Sequence, residues 1–134
     1  MTYEELVQMA ARAKEMAYVP YSNFRVGAAL LTVDGEVFTG CNIENASFSL
    51  TNCGERTAIF KAVSEGHKKF KAIAISTDTE TLTSPCGACR QVLIEFGENI
   101  EVIMANVHGD YQIYKAKDLL PLAFSPVKLE EERK

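Results

Sequence analysis

Val26-Gly27-Ala28-Ala29-Leu30-Leu31-Thr32-Val33, then Asp34-Gly35, then Glu36-Val37-Phe38-Thr39-Gly40-Cys41 reads as two strands around a tight turn. Asp-Gly between two such runs is the signal of a type I′ hairpin, and that turn is expected here. The first strand is apolar almost throughout instead of alternating. A strand of that kind needs cover on both faces, so the sheet it belongs to must carry helices on each side.

The flanking segments supply those layers. Upstream, residues 2–18 read as an amphipathic helix: Thr2 and Glu5 have capping-box spacing, and Leu6, Met9, Ala10, Ala13 and Ala17 recur at helical intervals until Pro20 stops the run. Tyr18 to Phe24 is a loop with three aromatic rings, suited to plugging a core edge or to facing a ligand. Downstream, extended geometry over Asn42-Ile43-Glu44-Asn45 points Asn42 and Glu44 to one side and Ile43 to the other. That segment is either a solvated loop or an amide and a carboxylate placed for the hydroxyls of a polar ligand.

Asn52 is placed to cap a helix running to about Gly66, with Ala58, Ile59, Ala62 and Val63 facing the core. Phe70 to Ser76 reads as a strand, Asp78 to Ser84 as a loop, and Cys86 to Phe96 as a helix. Strands at Ile100 to Asn106 and Tyr111 to Tyr114 flank a His108-Gly109-Asp110 turn, and Asp118 to Leu120 forms one helical turn. The charged end, Glu130 to Lys134, is expected to be solvated and at most weakly helical. This order predicts an α/β fold: a three-layer α-β-α sandwich around a mixed sheet of about five strands, one domain over residues 1–134.

Composition narrows the class. With 134 residues, 47% of them hydrophobic, the chain can bury a proper core. The net charge of −4, with Lys and Arg scattered, argues against a nucleic-acid polymer or an anionic membrane as partner. The polar N-terminus offers no export signal and no apolar run reaches spanning length, which implies a cytoplasmic protein.

In that setting the four cysteines point to metal or redox chemistry before disulfides. Cys53 stands two residues before Glu55 at one helix start. Cys86 and Cys89, spaced for chelation, stand at another. Helix N-termini carry unsatisfied amides and partial positive charge, which favour thiolates. Four readings stay open on these residues. Cys53, Cys86 and Cys89 could hold a catalytic zinc ion that leaves one position for water. Cys41 could close a structural zinc site as fourth ligand. Cys86 and Cys89 could be a redox pair, or the cysteines could simply pack the interior.

Read with their neighbours, these residues resemble a known family. Asn42-Ile43-Glu44-Asn45-Ala46, Cys53-Gly54-Glu55-Arg56-Thr57-Ala58 and Ser84-Pro85-Cys86-Gly87-Ala88-Cys89-Arg90-Gln91 are similar to segments of the zinc nucleobase deaminases. The likeness is to the small homotetrameric cytidine deaminases with a three-cysteine site. Tyr21-Ser22, Phe24, Val26-Gly27-Ala28-Ala29 and Leu120-Pro121 with Ala123-Phe124 fit the same pattern, so the resemblance covers nearly the whole chain.

The resemblance implies one zinc ion per subunit on Cys53, Cys86 and Cys89, and hydrolytic deamination of cytidine and 2′-deoxycytidine to the uridines, with release of ammonia, in pyrimidine salvage. It implies that Glu55 takes a proton from water and delivers protons to N3 of the base and to the departing amino group. It gives Arg56 hydrogen bonds to the ligand sulfurs, Asn42 and Glu44 the ribose, Phe24 a wall of the nucleoside pocket, and the Gly54 amide the pyrimidine O2. It further implies a homotetramer with shared active sites, Phe124 entering a neighbouring subunit's site. Arg90 is assigned a structural part. Two positions depart from the family pattern: Gly54 stands where Ala is commoner, and Phe48 where Tyr is frequent. A blasticidin-S-type deaminase fits the Asn-Ile-Glu-Asn-Ala and Ala-Phe-Ser segments less well, and a structural zinc module remains the reading from another class.

Overall fold

The computed structural model describes residues 1–133. Lys134, the last residue of the charged end, lies outside the described residues. Five strands form one sheet: β1 (Val26–Thr32), β2 (Val37–Cys41), β3 (Phe70–Thr77), β4 (Glu101–Ala105) and β5 (Tyr111–Lys115). Their order is β2-β1-β3-β4-β5, with β3 and β4 parallel and every other pair antiparallel. The helices are α1 (Tyr3–Lys14), α2 (Gly54–Ser64), α3 (Gly87–Phe96), α4 (Ala116–Leu119) and α5 (Pro126–Arg133). The mixed five-stranded sheet and the three layers are as the residue pattern required.

Strand pleating sorts the core into two halves. Ala28 and Leu30 of β1, Ile73 and Ile75 of β3, and Val102 and Met104 of β4 pack with Ala58, Ile59 and Ala62 of α2 and with Leu93 and Ile94 of α3. The alternate residues, Ala29, Leu31, Ala72, Ala74, Ile103 and Ala105, meet Leu6, Val7 and Ala10 of α1. The face under α1 is rich in alanine, so that helix lies very close to the sheet. A Cβ on Gly27 would stand 2.0 Å from the Ala10 carbonyl oxygen.

Three local expectations are corrected. The first helix ends at Lys14 instead of running to residue 18, because Tyr18 is drawn into extended pairing. Its amide donates to the Asn42 carbonyl at 3.0 Å and its carbonyl accepts from the Glu44 amide at 2.9 Å. The hairpin turn is not type I′. Gly35 alone has positive φ, +92°, and its amide closes on the Thr32 carbonyl at 3.1 Å. The Thr32 hydroxyl, which bonds the Asp34 carboxylate and accepts the Glu36 amide, holds this wider loop. Cys53, not Asn52, is the N-cap of α2, and the Asn52 amide group donates to the Thr57 hydroxyl instead. The charged end is helical through Arg133 as part of α5.

A buried ion pair fastens α1 to the end of β3. The Lys14 ammonium, its side chain only 8% exposed, lies 3.0 Å from the Asp78 carboxylate and donates to the Thr77 carbonyl. Asp78 also receives two bonds from the Arg25 guanidinium, which, together with Lys14, hold its carboxyl below the usual carboxylate range. Asp78→Asn strands a buried cation and is expected to lower stability by about 1–2 kcal/mol at pH 7, a figure reduced for the solvent that reaches Asp78. A depressed folded-state pKa means the contribution is full above the unfolded carboxylate value and fades as pH falls through the folded one. Urea unfolding should therefore separate the two proteins at pH 7 and bring them closer as pH falls below the ordinary carboxylate range.

Candidate active site

The carboxyl end of β3 is where the chain leaves the sheet for α3, the position at which open α/β sheets bind ligands. The N-termini of α2 and α3 both open there. Cys53 and Cys86 are the N-cap residues of these helices, and Cys89 lies in the first turn of α3. A close approach seats α2: a Cβ on Gly40 would stand 2.5 Å from the Ala58 amide nitrogen and 2.7 Å from the Gly54 carbonyl oxygen. The start of α2 thus rests directly on β2.

The three sulfurs converge. Cys53 Sγ is 3.7 Å from Cys86 Sγ, which is 3.4 Å from Cys89 Sγ. Zinc–sulfur bonds of about 2.3 Å in a tetrahedron need edges of about 3.8 Å, so one metal ion fits this donor set with little adjustment. Cys41 is not in the cluster, and the described residues offer no fourth protein ligand there. That disfavours the closed structural site. Full burial of Cys89 disfavours an accessible redox pair.

The electrostatics favour anionic sulfur. The Cys53 thiol is lowered to about 5 by hydrogen bonds from Cys89, Arg56 and Cys86. Cys89, which gives up the bond and is buried, is pushed the other way. Arg56 Nη2 donates to Cys53 Sγ at 3.1 Å, while its buried Nε has no partner. A guanidinium in that position offsets thiolate charge.

Glu55, 4% exposed, stands beside these sulfurs without belonging to the cluster. Burial first, and then the negative Cys53, raise its carboxyl above the ordinary value. It lines a cavity of about 230 Å³ together with Phe24, Asn42, Cys53, Gly54 and Cys86. Gly54, first residue of α2, carries an amide that has no acceptor within the helix. A larger hollow of about 380 Å³ lies by the start of α1, but its lining contains none of the cysteines.

The remaining expected residues are placed less simply. Asn42, 8% exposed, spends much of its amide on the wall itself. Its Oδ1 accepts from the Val26 amide at 2.9 Å and its Nδ2 donates to the Phe24 carbonyl at 2.7 Å. One N–H and one lone pair are left for a ligand. Glu44 faces an adjoining hollow of about 340 Å³ with Tyr21, Ser22, Phe48 and Thr51, and Thr51 lines both spaces. Its carboxylate accepts from the Tyr21 and Ser22 amides and the Ser22 hydroxyl, and that last bond leads in lowering its pKa. The Phe124 side chain is 56% exposed and lies outside the cavity lining, its carbonyl held by Gln91 Nε2 at 2.7 Å.

Thr51, Thr83 and Ser84 also line the cavity, and residue-by-residue reading missed them. Only the position of Ser84 just before Pro85-Cys86 carried a signal.

A family model described as the cytidine and deoxycytidylate deaminase zinc-binding region matches residues 1–105. Among curated proteins, the cytidine deaminase of Sporosarcina psychrophila is 54% identical over 126 residues, 93% of each chain. A probable cytidine deaminase of Dictyostelium discoideum is 48% identical over 125 residues, 91% of this chain and 83% of that protein. The crystal structure of cytidine deaminase from Burkholderia pseudomallei superposes with a TM-score of 0.90 at 54% identity, covering 92% of this chain and all of that one. The enzyme from Mycobacterium tuberculosis gives a TM-score of 0.81 at 39% identity over 92% of this chain and 98% of its own. A match that runs through both cysteine motifs, upheld by relatives aligned over most of their length, makes this chain a member of the cytidine and deoxycytidylate deaminase family.

Proposed function

We infer that the protein is a zinc-dependent hydrolase that converts cytidine and 2′-deoxycytidine to uridine and 2′-deoxyuridine with release of ammonia, a step of pyrimidine salvage in the cytoplasm. The observation that carries this reading is a buried Glu55 beside three converging cysteine sulfurs, with Glu55, Cys53 and Cys86 lining one cavity.

Cys53, Cys86 and Cys89 would hold one zinc ion per chain. When bound, it supplies Lewis acidity toward a water molecule. Glu55 takes a proton from the attacking water as the oxygen bonds to C4 of the base. It gives that proton to N3, takes a second from the hydroxyl now on C4 and gives it to the amino group, and the C4–N bond breaks to release ammonia as the C4 carbonyl forms. A carboxyl held above its ordinary pKa suits both transfers near neutral pH. The free Gly54 amide meets the pyrimidine O2, and Phe24 covers the base. Asn42 and Glu44 bind the ribose, across the two hollows that Thr51 joins.

The protein works as a homotetramer, with Phe124 from one chain completing the cavity of the next. The exposed Phe124 ring supports this, as do the exposed Phe48, Leu50 and Leu122.

With cytidine as substrate, ultraviolet absorbance should fall as ammonia appears one for one. A strong chelator should abolish the signal and added zinc restore it; turnover untouched by metal removal would overturn the zinc assignment. Light scattering should give four chains per particle. A fully active monomer would refute the shared site.

A further inference from the structure

Between β3 and α3 the chain crosses a loop without regular structure, and its last residues form a wall of the cavity. The first part of that loop is fastened by its own side chains and by the turn that follows β4. The Thr79 hydroxyl bonds those of Thr77 and Thr83, the Thr79 carbonyl accepts the Val107 amide, and Asn106 Nδ2 donates to the Glu80 carbonyl. Ser84 and Pro85 come next, and Pro85 has no N–H to donate.

Arg90 holds this last span. Its Nε donates to the Pro85 carbonyl at 2.8 Å, its Nη2 to the Ser84 hydroxyl at 2.8 Å, and its Nη1 to the Leu119 carbonyl at 2.9 Å. All three acceptors are neutral oxygens. A cation near a helix N-terminus opposes the helix dipole, so this Arg stands where a purely electrostatic role would be unfavourable. The planar fork of donors matches the three oxygens in a way that one ammonium could not.

The third bond reaches a different part of the chain. Leu119 ends α4, and the segment after it runs through Leu122, whose φ of 57° is left-handed for a residue with a branched side chain. Such a conformation persists only where its surroundings over-determine it. Arg90 at Leu119 and Gln91 at Phe124 hold the two ends of that segment to the first turns of α3.

We propose that Arg90 is a positioning residue: it locks the Ser84–Pro85 wall of the cavity to the Leu119–Phe124 segment, so that base-side wall and tail keep one relative placement. The consequence for turnover rests on the deaminase reading; the mechanical tie does not. Arg90 touches no reacting atom, so its effect falls on how well the nucleoside is seated.

Arg90→Ala and Arg90→Lys, compared with the wild type, test this. Hydrogen exchange read by mass spectrometry should show protection lost together over residues 83–86 and 119–124, with α1 and the sheet unchanged. Zinc content should match the wild type. For cytidine, kcat/KM should fall by about 10–100-fold, mostly through KM, as small misplacements at a site do. Lys, which can make one of the three bonds, should recover only part. A lowered melting temperature with KM within about twofold of the wild type would reduce Arg90 to a structural residue and overturn the proposal. So would loosening of one segment without the other. Should the Ala variant fail to fold, the Lys variant carries the same readouts. A wild-type protein without turnover of cytidine would count against the deaminase reading alone, and the exchange pattern would still decide the tie.

Discussion

Glu55→Gln should leave the fold and the zinc content intact while lowering kcat for cytidine by roughly 10³–10⁴-fold, the upper range for loss of a general acid–base group. Gln fills the same space and retains the side-chain carbonyl, but it cannot take or return a proton. In the proposed mechanism the same group serves at more than one stage, so no other step would compensate. Comparable turnover in both proteins would remove Glu55 from the mechanism. A second readout concerns stability. Because burial raises the Glu55 carboxyl, the folded chain holds its proton more tightly than the unfolded one. The sign of the linkage follows: stability of the wild type falls as pH rises from the unfolded value through the folded one. In chelator-stripped protein the Gln variant should therefore gain on the wild type between acid and neutral pH. A Gln variant that instead loses ground to the wild type over that range would mean that Glu55 is paired in the folded apoprotein.

Gly27→Ala should cost at least about 3 kcal/mol and shift the urea midpoint accordingly, among the larger effects of a single methyl group. The added Cβ would meet the Ala10 carbonyl oxygen at 2.0 Å, the Lys14 nitrogen at 2.5 Å and the Lys14 Cα at 2.9 Å. These are backbone atoms of a regular helix and cannot swing aside. Relief requires lifting α1 from the sheet, which opens the cluster around Leu6, Val7 and Ala10 and separates buried Lys14 from Asp78. Gly87→Ala is the control: its Cβ would enter open space, and a change beyond about 0.5 kcal/mol is not expected there. Equal effects at the two sites would show that close approach is not what Gly27 supplies.

The departure at position 54 has a bounded meaning in the same terms. A Cβ there would lie 3.1 Å from the Val26 carbonyl oxygen and 3.3 Å from Val26 Cγ1, tight but short of collision. Gly54 keeps its amide at the start of α2, where the implied contact with the base needs it, and the cavity wall stands slightly wider than Ala would leave it.

Much of this molecule was legible in local pattern. The apolar run at Val26 to Thr32 demanded cover on both faces, and α1 opposite α2 and α3 provides it. Cys53 and Cys86 stood at helix starts in sequence and are N-cap residues in the fold, because capping and periodicity act over a few residues. The same short reach explains the misses. Nothing between residues 14 and 18 says that Tyr18 will pair with the segment after β2 instead of extending a helix. Asn52 had a capping side chain, yet its backbone pairs with Ile43, and that long-range bond moved the cap by one residue.

By itself, then, the sequence determined the inventory: the layers, the thiolates at helix starts, the carboxylate two residues from one of them, and the chemistry these groups permit. The tertiary structure decided the company each keeps. It brought Cys53 and Cys86, 33 residues apart, to 3.7 Å and left Cys41 out. It set Asn42 and Glu44 in adjoining hollows, and it added the distant Leu119 carbonyl to the nearby Ser84 and Pro85 oxygens that Arg90 holds. Those outcomes depend on strand order and on how closely helices can approach a glycine- and alanine-lined sheet. Both are properties of packing between distant parts of the chain, which no short window of residues contains.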